Sequence, residues 1–501
     1  MIRGLAPVCA YLETVTISLP YGSCPAADCP EPPHPALMKS TRRHVLHAGL
    51  FGGLGSLLSY AHAQAAAVPA KRVRGIVFMV SDGMSHGVLP LAEALSQQTR
   101  KRSTRWWELL QSPGSVQGLM DTASSNSLVT DSAAASSAWG GGQRVPNGQI
   151  NVTEKGRKLE PIGVTLRAKK CRLGLVTTAT VTHATPAGFA AVTPDRDDEE
   201  SIAVQYLDRA EIILGGGSQF FDPAKRKDKR DLFSDFTKAG YEVLRNRDQL
   251  LAAKSPRLLG TFTTGHLPYS VDHSNDEALA KNVPTLAEMT DAALKRFLPG
   301  DAPFLLQVEG ARIDHAAHAN DIAGILGDQL AFDDAIATVM AAIAGRDDVL
   351  VVVTSDHGNS NPGLNGMGSS YRRTNEHFVR IANIKASHEQ IFAEWSSKKG
   401  GPAELTALVQ ERLGFKPTDS EAATLLDTIG GKPVPEWNHL LANPPGILGQ
   451  IAGNHTGIGW TGTVHTADMT LITAVGPQAE RFHGLVRNDS VHEKLLGMLL
   501  G

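Results

Sequence analysis

The sequence predicts an α/β protein whose large, mainly parallel β-sheet is sandwiched between helices. Beyond residue 70, short apolar runs rich in β-branched residues alternate with longer helical segments. This alternation is typical of parallel strands joined by crossover helices. Three of the runs stop at carboxylate or imidazole side chains. Since ligands bind at the carboxyl edge of the strands in open α/β sheets, the same pattern predicts where a site lies.

The three runs that stop at such side chains are far apart in the chain. They are 75–80 followed by Asp82, 304–308 followed by Glu309, and 349–353 followed by Asp356 and His357. An Asp after a strand often caps the next helix, which is the ordinary explanation for any single ending. Three such endings in one chain favour a shared ligand site instead.

A carboxylate and an imidazole follow the second of these strands. Asp314 and His318 are four residues apart, and on a helix that spacing places both side chains on one face, where they can bind one ion. Taken alone, the spacing is common on solvated helix faces. Its position shortly after Glu309 favours a metal site.

Another candidate ligand lies near the C-terminus. His465 comes just before the apolar run 469–475, whereas His455 lies in a Gly-rich stretch with no strand after it. We therefore predict that His465 is a metal ligand and that His455 is a loop residue.

Ser132 is the candidate nucleophile. The stretch 129–138 has Asp131 and Ser132 at capping positions before a run of strong helix formers. An ordinary N-cap explains this pattern. However, a Ser at a helix N-terminus lies beside free backbone N–H groups and the positive end of the helix dipole, and both favour a bound anion. A zinc ion within reach would also activate the hydroxyl at neutral pH.

An arginine among acidic residues is the candidate phosphate clamp. The strand predicted at 173–178 leads through His183 and Thr185 to the run Asp195-Arg196-Asp197-Asp198. A surface salt bridge is the ordinary explanation of such a run. The functional alternative is that Arg196 holds two phosphate oxygens in its fork-shaped guanidinium.

The composition argues against a nucleic-acid-binding protein and against a zinc site made of cysteines. The 501 residues can bury a large core, and a formal net charge of -3 argues against a broad nucleic-acid-binding surface. Of four cysteines, only Cys171 follows residue 29, so that a thiolate zinc site is excluded from the predicted mature protein. Any metal must be held by His and carboxylates.

The N-terminal region is predicted to be a targeting segment. Residues 1–37 are Pro-rich without an apolar period, which suggests an upstream extension from a misassigned start codon. Residues 38–65 have the layout of a signal peptide, and the pair Arg42 and Arg43 resembles a twin-arginine motif. A chance basic pair before a membrane anchor is the alternative, but the apolar run is short, and no other segment is predicted to span a membrane. We expect a periplasmic or secreted protein with a catalytic domain at 70–501.

Six segments, in this order, resemble the alkaline phosphatase family. They are 80–84 (VSDGM), 130–134 (TDSAA), 183–186 (HATP), 309–318 (EGARIDHAAH), 354–358 (TSDHG) and 465–466 (HT). Each segment alone is weak evidence, but the ordered set, which spans residues 74 to 480, is highly specific.

The resemblance implies two zinc ions and a third site that usually holds magnesium. The implied ligands are Asp314, His318 and His465 for the first zinc; Asp82, Asp356, His357 and Ser132 for the second; and Asp82, Thr185 and Glu309 for the third ion. His183 lies near the third site, and imidazole favours softer ions, so that zinc or cobalt are alternatives to magnesium there.

The resemblance also implies a double-displacement mechanism. Ser132 attacks phosphorus in line, Arg196 binds the non-bridging oxygens, Asp131 steadies Arg196, and the resulting phosphoserine is hydrolysed. His183 and His315 match the pair found in vertebrate members, and His315 reaches the phosphate directly or through water. Two metals about 4 Å apart neutralise the attacking and leaving oxygens together. Because recognition ends at the phosphoryl group, small phosphomonoesters of many alcohols are the expected substrates.

Segment 361–455 contains amphipathic helical runs such as 403–413, and it separates His357 from His465. In the family, insertions of this kind cover the mouth of the active site or build a dimer contact, so that we expect an insertion near the mouth and a homodimer.

Other functions remain open at this point. A phosphodiesterase or a phosphoglycerate mutase of the same superfamily would share much of the metal frame, although the block around Ser132 together with Arg196 favours monoester hydrolysis. A sulfatase is excluded because Ser132 lacks the required C/S-x-P-x-R context. A non-catalytic periplasmic phosphate-binding protein is the alternative from another class.

Overall fold

Fourteen strands lie in the part of the chain that the structure describes: ten form one central sheet, and four form two separate two-stranded sheets. The fold is taken from a computed structural model, which describes residues 72–398, 400–434 and 438–501. The strands are β1 (Gly75–Ser81), β2 (Ser115–Asp121), β3 (Arg172–Thr180), β4 (Ile212–Gly216), β5 (Glu242–Leu244), β6 (Leu258–Thr261), β7 (Phe304–Gly310), β8 (Val349–Thr354), β9 (Gly358–Asn359), β10 (Gly363–Leu364), β11 (Ile458–Gly459), β12 (His465–Thr466), β13 (Thr470–Val475) and β14 (Gly484–Arg487). The extension predicted at 1–37 and the signal peptide predicted at 38–65 lie outside the described residues.

The central sheet is mostly parallel, as predicted. Its strand order is β14-β2-β13-β8-β1-β7-β3-β4-β6-β5. Only β13 runs antiparallel to its neighbours, β8 and β2. The three strands predicted to carry site residues, β8, β1 and β7, are adjacent at the centre, which brings their carboxyl ends to one edge.

Helices cover both faces of the sheet. They are α1 (Val88–Thr99), α2 (Arg105–Gln111), α3 (Ser132–Gly141), α4 (Ile162–Ala168), α5 (Ala184–Ala190), α6 (Glu199–Gln205), α7 (Leu232–Lys238), α8 (Arg247–Ala252), α9 (Ser270–Asn275), α10 (Glu277–Asn282), α11 (Leu286–Phe297), α12 (Arg312–His318), α13 (Ile322–Ala342), α14 (Thr374–Phe378), α15 (His388–Ser397), α16 (Pro402–Leu413), α17 (Asp419–Ile429), α18 (Pro444–Thr456) and α19 (Ser490–Leu500). This arrangement confirms the predicted fold class.

The core consists of two layers, one on each face of the sheet. Val77 and Met79 of β1 face the layer that contains α11 and α13. Ile76 and Phe78, which alternate with them, face the layer that contains α3, α5 and α19. Because successive side chains of a strand point to opposite faces, an uninterrupted apolar run such as β1 requires cover on both sides.

Segment 361–455 forms helices α14–α18 around a smaller apolar cluster of its own, which includes Ile391, Leu408, Val409 and Ile447.

The prediction that His455 is a loop residue was wrong. It lies in the last turn of α18, where its ring stacks on Phe415 with centroids 4.0 Å apart. The Gly-rich sequence around His455 masked this helix.

Two further observations concern the described residues. Cys171 is buried, and its thiol is free. No helix in ranges 72–398, 400–434 and 438–501 is both long and apolar enough to cross a membrane.

Candidate metal centre and active site

Three carboxylates meet at the carboxyl edge of the central sheet. Val80 of β1 is in register with Glu309 of β7 and with Thr354 of β8. Asp82 and Asp356 follow two residues after Val80 and Thr354, so that neighbouring strands deliver Asp82, Glu309 and Asp356 to the same place. All three side chains are buried. The strand endings predicted to share a site therefore do so.

The side chains at this edge form three overlapping groups. In each group the potential ligand atoms lie within 4.8 Å of one another, and the groups are Asp314, His357 and His465; Asp82, Asp356 and His357; and Asp82, His183 and Glu309. His318 adjoins the first group, since its Nε2 is 3.3 Å from Asp314 Oδ2 and 3.0 Å from His465 Nε2. The His and carboxylate side chains implied for the three ion sites thus lie together, and His183 belongs to the third group.

The donor atoms of this cluster fit divalent cations. Six of its buried polar atoms have no hydrogen-bond partner among the described residues: both carboxylate oxygens of Asp82, Asp356 Oδ2, Glu309 Oε1, Thr185 Oγ1 and His183 Nδ1. A buried polar atom without a partner costs about 1–3 kcal/mol, and more when the group is charged. Oxygen and imidazole donors in this number are the ligands that zinc and magnesium take.

The electrostatics of the cluster also fit cations. Burial and the carboxylates of Asp356 and Asp314 raise the pKa of Asp82 well above its ordinary value. Burial raises the pKa of Glu309 to about 7. Burial alone would also raise the pKa of Asp314, but the imidazoles of His318 and His465 hold it well below the usual range. Crowded carboxylates of this kind ionise fully when positive charge is bound between them.

Ser132 occupies the first position of α3, next to this cluster. Asp131 is the N-cap and accepts a hydrogen bond from the Ala134 backbone N–H at 2.8 Å. The Ser132 hydroxyl lies 3.2 Å from His357 Nε2 and is buried. Both the predicted helix start and the predicted capping role of Asp131 are therefore present, and Ser132 lies at the positive end of the helix dipole.

Arg196 points toward the same helix terminus. Its Nη1 donates to Asp131 Oδ2 at 3.0 Å, and its Nη2 lies 3.2 Å from His183 Nε2. Arg196 is therefore held by Asp131 rather than by the neighbouring acids of its own segment. This contact agrees with the steadying role that the family resemblance implies for Asp131.

His315 is held by an arginine that the sequence did not single out. Arg312 Nη1 donates to His315 Nδ1 at 2.8 Å. Because guanidinium is only a donor, this contact assigns the proton of the neutral ring to Nε2. Burial, followed by the positive charge of Arg312, lowers the pKa of His315 well below its ordinary value. His315 thus offers one neutral N–H donor.

Sequence reasoning missed three further residues of the site. His266 lies beside His315 with ring centroids 4.5 Å apart and the rings tilted by 52°. Thr177 Oγ1 donates to Glu309 Oε2 at 2.5 Å, and Asn359 Nδ2 donates to Asp314 Oδ1 at 2.7 Å. His266 follows the carboxyl end of β6, so that the reasoning applied to the other strand ends would have found it. Thr177 lies inside a buried strand and carries no such signal.

Comparisons with known proteins agree with this geometry. The family model described as alkaline phosphatase matches residues 73–499. Alkaline phosphatase 3 of Bacillus subtilis is 30% identical over 383 residues, which cover 74% of this chain and 77% of the relative. Alkaline phosphatase 4 of the same organism is 28% identical over 456 residues, which cover 89% and 92% of the two chains. The crystal structure of Thermus thermophilus alkaline phosphatase superposes with a TM-score of 0.80 at 34% identity, covering 89% of this chain and 96% of that chain. The chain belongs to the alkaline phosphatase family of metal-dependent phosphomonoesterases.

Proposed function

We propose that Ser132 is the nucleophile and that it accepts the phosphoryl group of a small phosphomonoester before water releases inorganic phosphate. The observation that carries this proposal is the position of its hydroxyl, at the N-terminus of α3 and 3.2 Å from His357 Nε2. The nearby carboxylates of Asp82 and Asp356 complete a set of donors for a cation at the attacking oxygen. In this setting the hydroxyl needs no separate histidine base.

The other residues of the site bind and orient the phosphoryl group. Arg196, fixed by Asp131, presents paired N–H donors to two non-bridging oxygens. The backbone N–H groups at the start of α3 face the same anion. The Nε2–H of the neutral His315 ring donates a hydrogen bond to the phosphate, directly or through water. When bound, the ions would supply Lewis acidity that neutralises charge on the attacking and leaving oxygens.

We propose two zinc ions and one magnesium ion for the three groups of ligands. Asp314, His318 and His465 would hold the first zinc; Asp82, Asp356, His357 and Ser132 the second zinc; and Asp82, Thr185 and Glu309 the magnesium. The mixture of imidazole and carboxylate in the first two sets favours zinc. Because His183 adjoins the third set, zinc or cobalt are the alternatives there, and anomalous diffraction at the metal edges distinguishes the three ions.

The test of the nucleophile is the pair of variants Ser132→Ala and Ser137→Ala on the same helix. We expect Ser132→Ala to reduce the turnover of p-nitrophenyl phosphate by more than about a thousandfold, as loss of a nucleophile does. Ser137→Ala, which removes a hydroxyl about one and a half turns further along α3, should remain active because that hydroxyl bonds the backbone of Gln149 and Asn151 instead. Acid quenching during turnover followed by peptide mapping should find phosphoserine at position 132. Retained turnover in Ser132→Ala would overturn the proposal.

The same assay separates the alternatives. A phosphodiesterase would prefer bis(p-nitrophenyl) phosphate to the monoester. A phosphate-binding protein would bind phosphate with no turnover of either ester, and its behaviour would be the same with and without Ser132.

We also propose that the protein forms a homodimer and that a twin-arginine signal exports it. Light scattering of the purified protein tests the first statement. For the second, replacing both Arg42 and Arg43 by Lys should leave the precursor in the cytoplasm, and unchanged export would contradict it.

A further inference from the structure

A cavity opens beside His315 and His318, on one side of the metal cluster. It has a volume of about 400 Å³. Beyond these two histidines, its walls are formed by His266, Tyr269, Arg312, Ala319, His388, Glu389, Phe392 and Pro445. We call it the alcohol-side cavity. Four of these wall residues, His388, Glu389, Phe392 and Pro445, come from segment 361–455.

The position of the cavity relative to the nucleophile indicates which part of a substrate it receives. Its walls include His318, which we propose as a ligand of the first zinc, but neither Ser132 nor His357, which belong to the set proposed for the second zinc. In-line phosphoryl transfer places the leaving oxygen opposite the attacking oxygen. A phosphoryl group attacked by Ser132 would therefore direct its alcohol portion toward this cavity.

The charges in the cavity are paired with each other. Arg312 Nη2 donates to Glu389 Oε2 at 2.8 Å, and the Arg312 side chain is 4% exposed. The guanidinium also lies over the ring of Tyr269, 3.7 Å from its centroid. Arg312 and Glu389, the Arg and Glu side chains among the described residues that line the cavity, are therefore paired with each other.

Cyclic side chains form much of the remaining wall of the cavity. His266 and Phe392 contribute aromatic rings and Pro445 adds an apolar ring, whereas the ring of Tyr269 is buried beneath Arg312. A dry apolar cavity of about 150 Å³ is enough to hold benzene, so that the alcohol-side cavity accommodates a ring with substituents. Aromatic surfaces favour a ring over a flexible chain because stacked and edge-on ring pairs contribute beyond the area that they bury.

We propose that the alcohol-side cavity is a subsite for uncharged aromatic alcohols, with Phe392 as a specificity-determining residue. This inference rests on the proposed function, because it needs the phosphoryl group to be held at Ser132. It assigns a role to segment 361–455, which supplies one wall of the subsite while the metal ligands come from elsewhere in the chain.

Competitive inhibition by phosphonates tests the subsite without a chemical step. Methylphosphonate, phenylphosphonate and 2-aminoethylphosphonate carry the same acid group with a small, an aromatic and a cationic substituent. We expect phenylphosphonate to bind at least about tenfold more tightly than methylphosphonate because its ring is buried. The 2-aminoethyl compound should gain no affinity over methylphosphonate. Equal affinity for the phenyl and methyl compounds, or the tightest binding for the cationic one, would overturn the inference.

Variants at Phe392 test whether the preference for phenylphosphonate over methylphosphonate arises in this cavity. Phe392→Ala should reduce the ratio of the methyl to the phenyl inhibition constant by about 3- to 10-fold, the range expected for one aromatic pair. Phe392→Leu keeps most of the apolar volume and should reduce it less, by about twofold. Tyr371→Ala is the matched control, since Tyr371 is an aromatic residue of the same segment that is 75% exposed and does not line the cavity. It should leave the ratio as it is.

The outcomes distinguish this inference from the proposed function. If Phe392→Ala does not fold, Phe392→Leu replaces it in the test. Thermal denaturation verifies that each variant is folded. A ratio that is unchanged in the folded Phe392 variants overturns the subsite, while continued inhibition by inorganic phosphate leaves the phosphoryl site intact. Absence of both phosphate inhibition and monoester turnover in the wild type would overturn the proposed function together with the subsite.

Discussion

A substitution at Asp131 can change phosphate affinity without removing the N-cap of helix α3. Its Oδ1 caps α3 by accepting from Ala134 N, while its Oδ2 accepts from Arg196 Nη1 at 3.0 Å and from Gly148 N at 2.9 Å. Asp131→Asn keeps an oxygen for the cap but presents an amide donor, or an uncharged oxygen, to Arg196. The variant therefore removes the anion that orients the guanidinium.

The expected loss follows from this contact. Hydrogen bonds to charged groups contribute about 1.5–3 kcal/mol, and both partners here are mostly buried, with side chains 22% and 16% exposed. Part of that free energy is spent on ordering Arg196 itself, so that we expect phosphate binding to weaken by about 1.4 kcal/mol, or about tenfold in the inhibition constant of inorganic phosphate. The assay is competitive inhibition of p-nitrophenyl phosphate hydrolysis.

The direction of the change in phosphate affinity shows whether Asp131 acts through its charge or through Arg196. Removing a negative charge near an anion site on its own favours the anion, so that weaker binding must come from the disturbed Arg196. Asp198→Asn is the matched control, because Asp198 also caps a helix, α6, carries the same charge, and lies two residues from Arg196 in the acidic segment 195–198. It should leave phosphate affinity the same or slightly higher. An unchanged or lower inhibition constant in a folded Asp131→Asn protein would refute the positioning role.

Three further predictions concern the ions, the pH dependence of stability and the helix that carries Ser132. Asp82→Asn should lower the bound-metal content, measured by plasma mass spectrometry, and should cost more than the 10- to 100-fold in activity or metal affinity typical of changes outside the ligand set, because Asp82 belongs to two of the three ligand groups. Burial raises the pKa of Asp328 to about 7, above an unfolded value of about 3.9, so that its stabilising contribution is complete below pH ~4 and is lost as the pH rises toward 7. Asp328→Asn should therefore gain stability over the wild type as the pH increases from 5 to 8, by about 3 kcal/mol, and a constant difference across this range would contradict the assignment. Gly140→Ala should destabilise the protein by about 1–3 kcal/mol in denaturant titrations, since a Cβ there would lie 1.9 Å from the Gly188 carbonyl oxygen on α5; a neutral effect would show that α3 can shift.

The sheet edge and its ligands were predictable because the relevant signals are local. A strand such as β1 is recognised from its own apolar run, and the residue that follows it, Asp82, is recognised from its position. Parallel strands align their carboxyl ends, so that adding the ends of β7 and β8 required no knowledge of loops. The Asp131 cap was equally local, since its side chain bonds the backbone only three residues away.

The features that escaped prediction depend on contacts between distant segments. Arg312 gains its role only because Glu389, 77 positions away in the chain, lies beside it, and neither residue has a distinctive local pattern. Strands β2 and β14 form one edge of the sheet, but their mixture of polar and apolar residues resembles that of a loop. His455 was misjudged because glycines in α18 lower the local helix propensity, while packing of Ile447 and Ile451 stabilises the helix.

The structure separates the two tasks of the site between two parts of the chain. The ends of β1, β7 and β8 supply Asp82, Glu309, Asp356 and His357, and these three strands are buried along their whole length. The wall that faces the alcohol comes partly from α15 and α18, which have a smaller apolar cluster of their own. A substitution in that wall changes contacts made with the alcohol without moving the carboxylates, because the two sets of side chains rest on different cores. Selectivity among alcohols should therefore change independently of phosphoryl chemistry in this protein, and variants at Phe392 should alter inhibition by phenylphosphonate more than inhibition by inorganic phosphate.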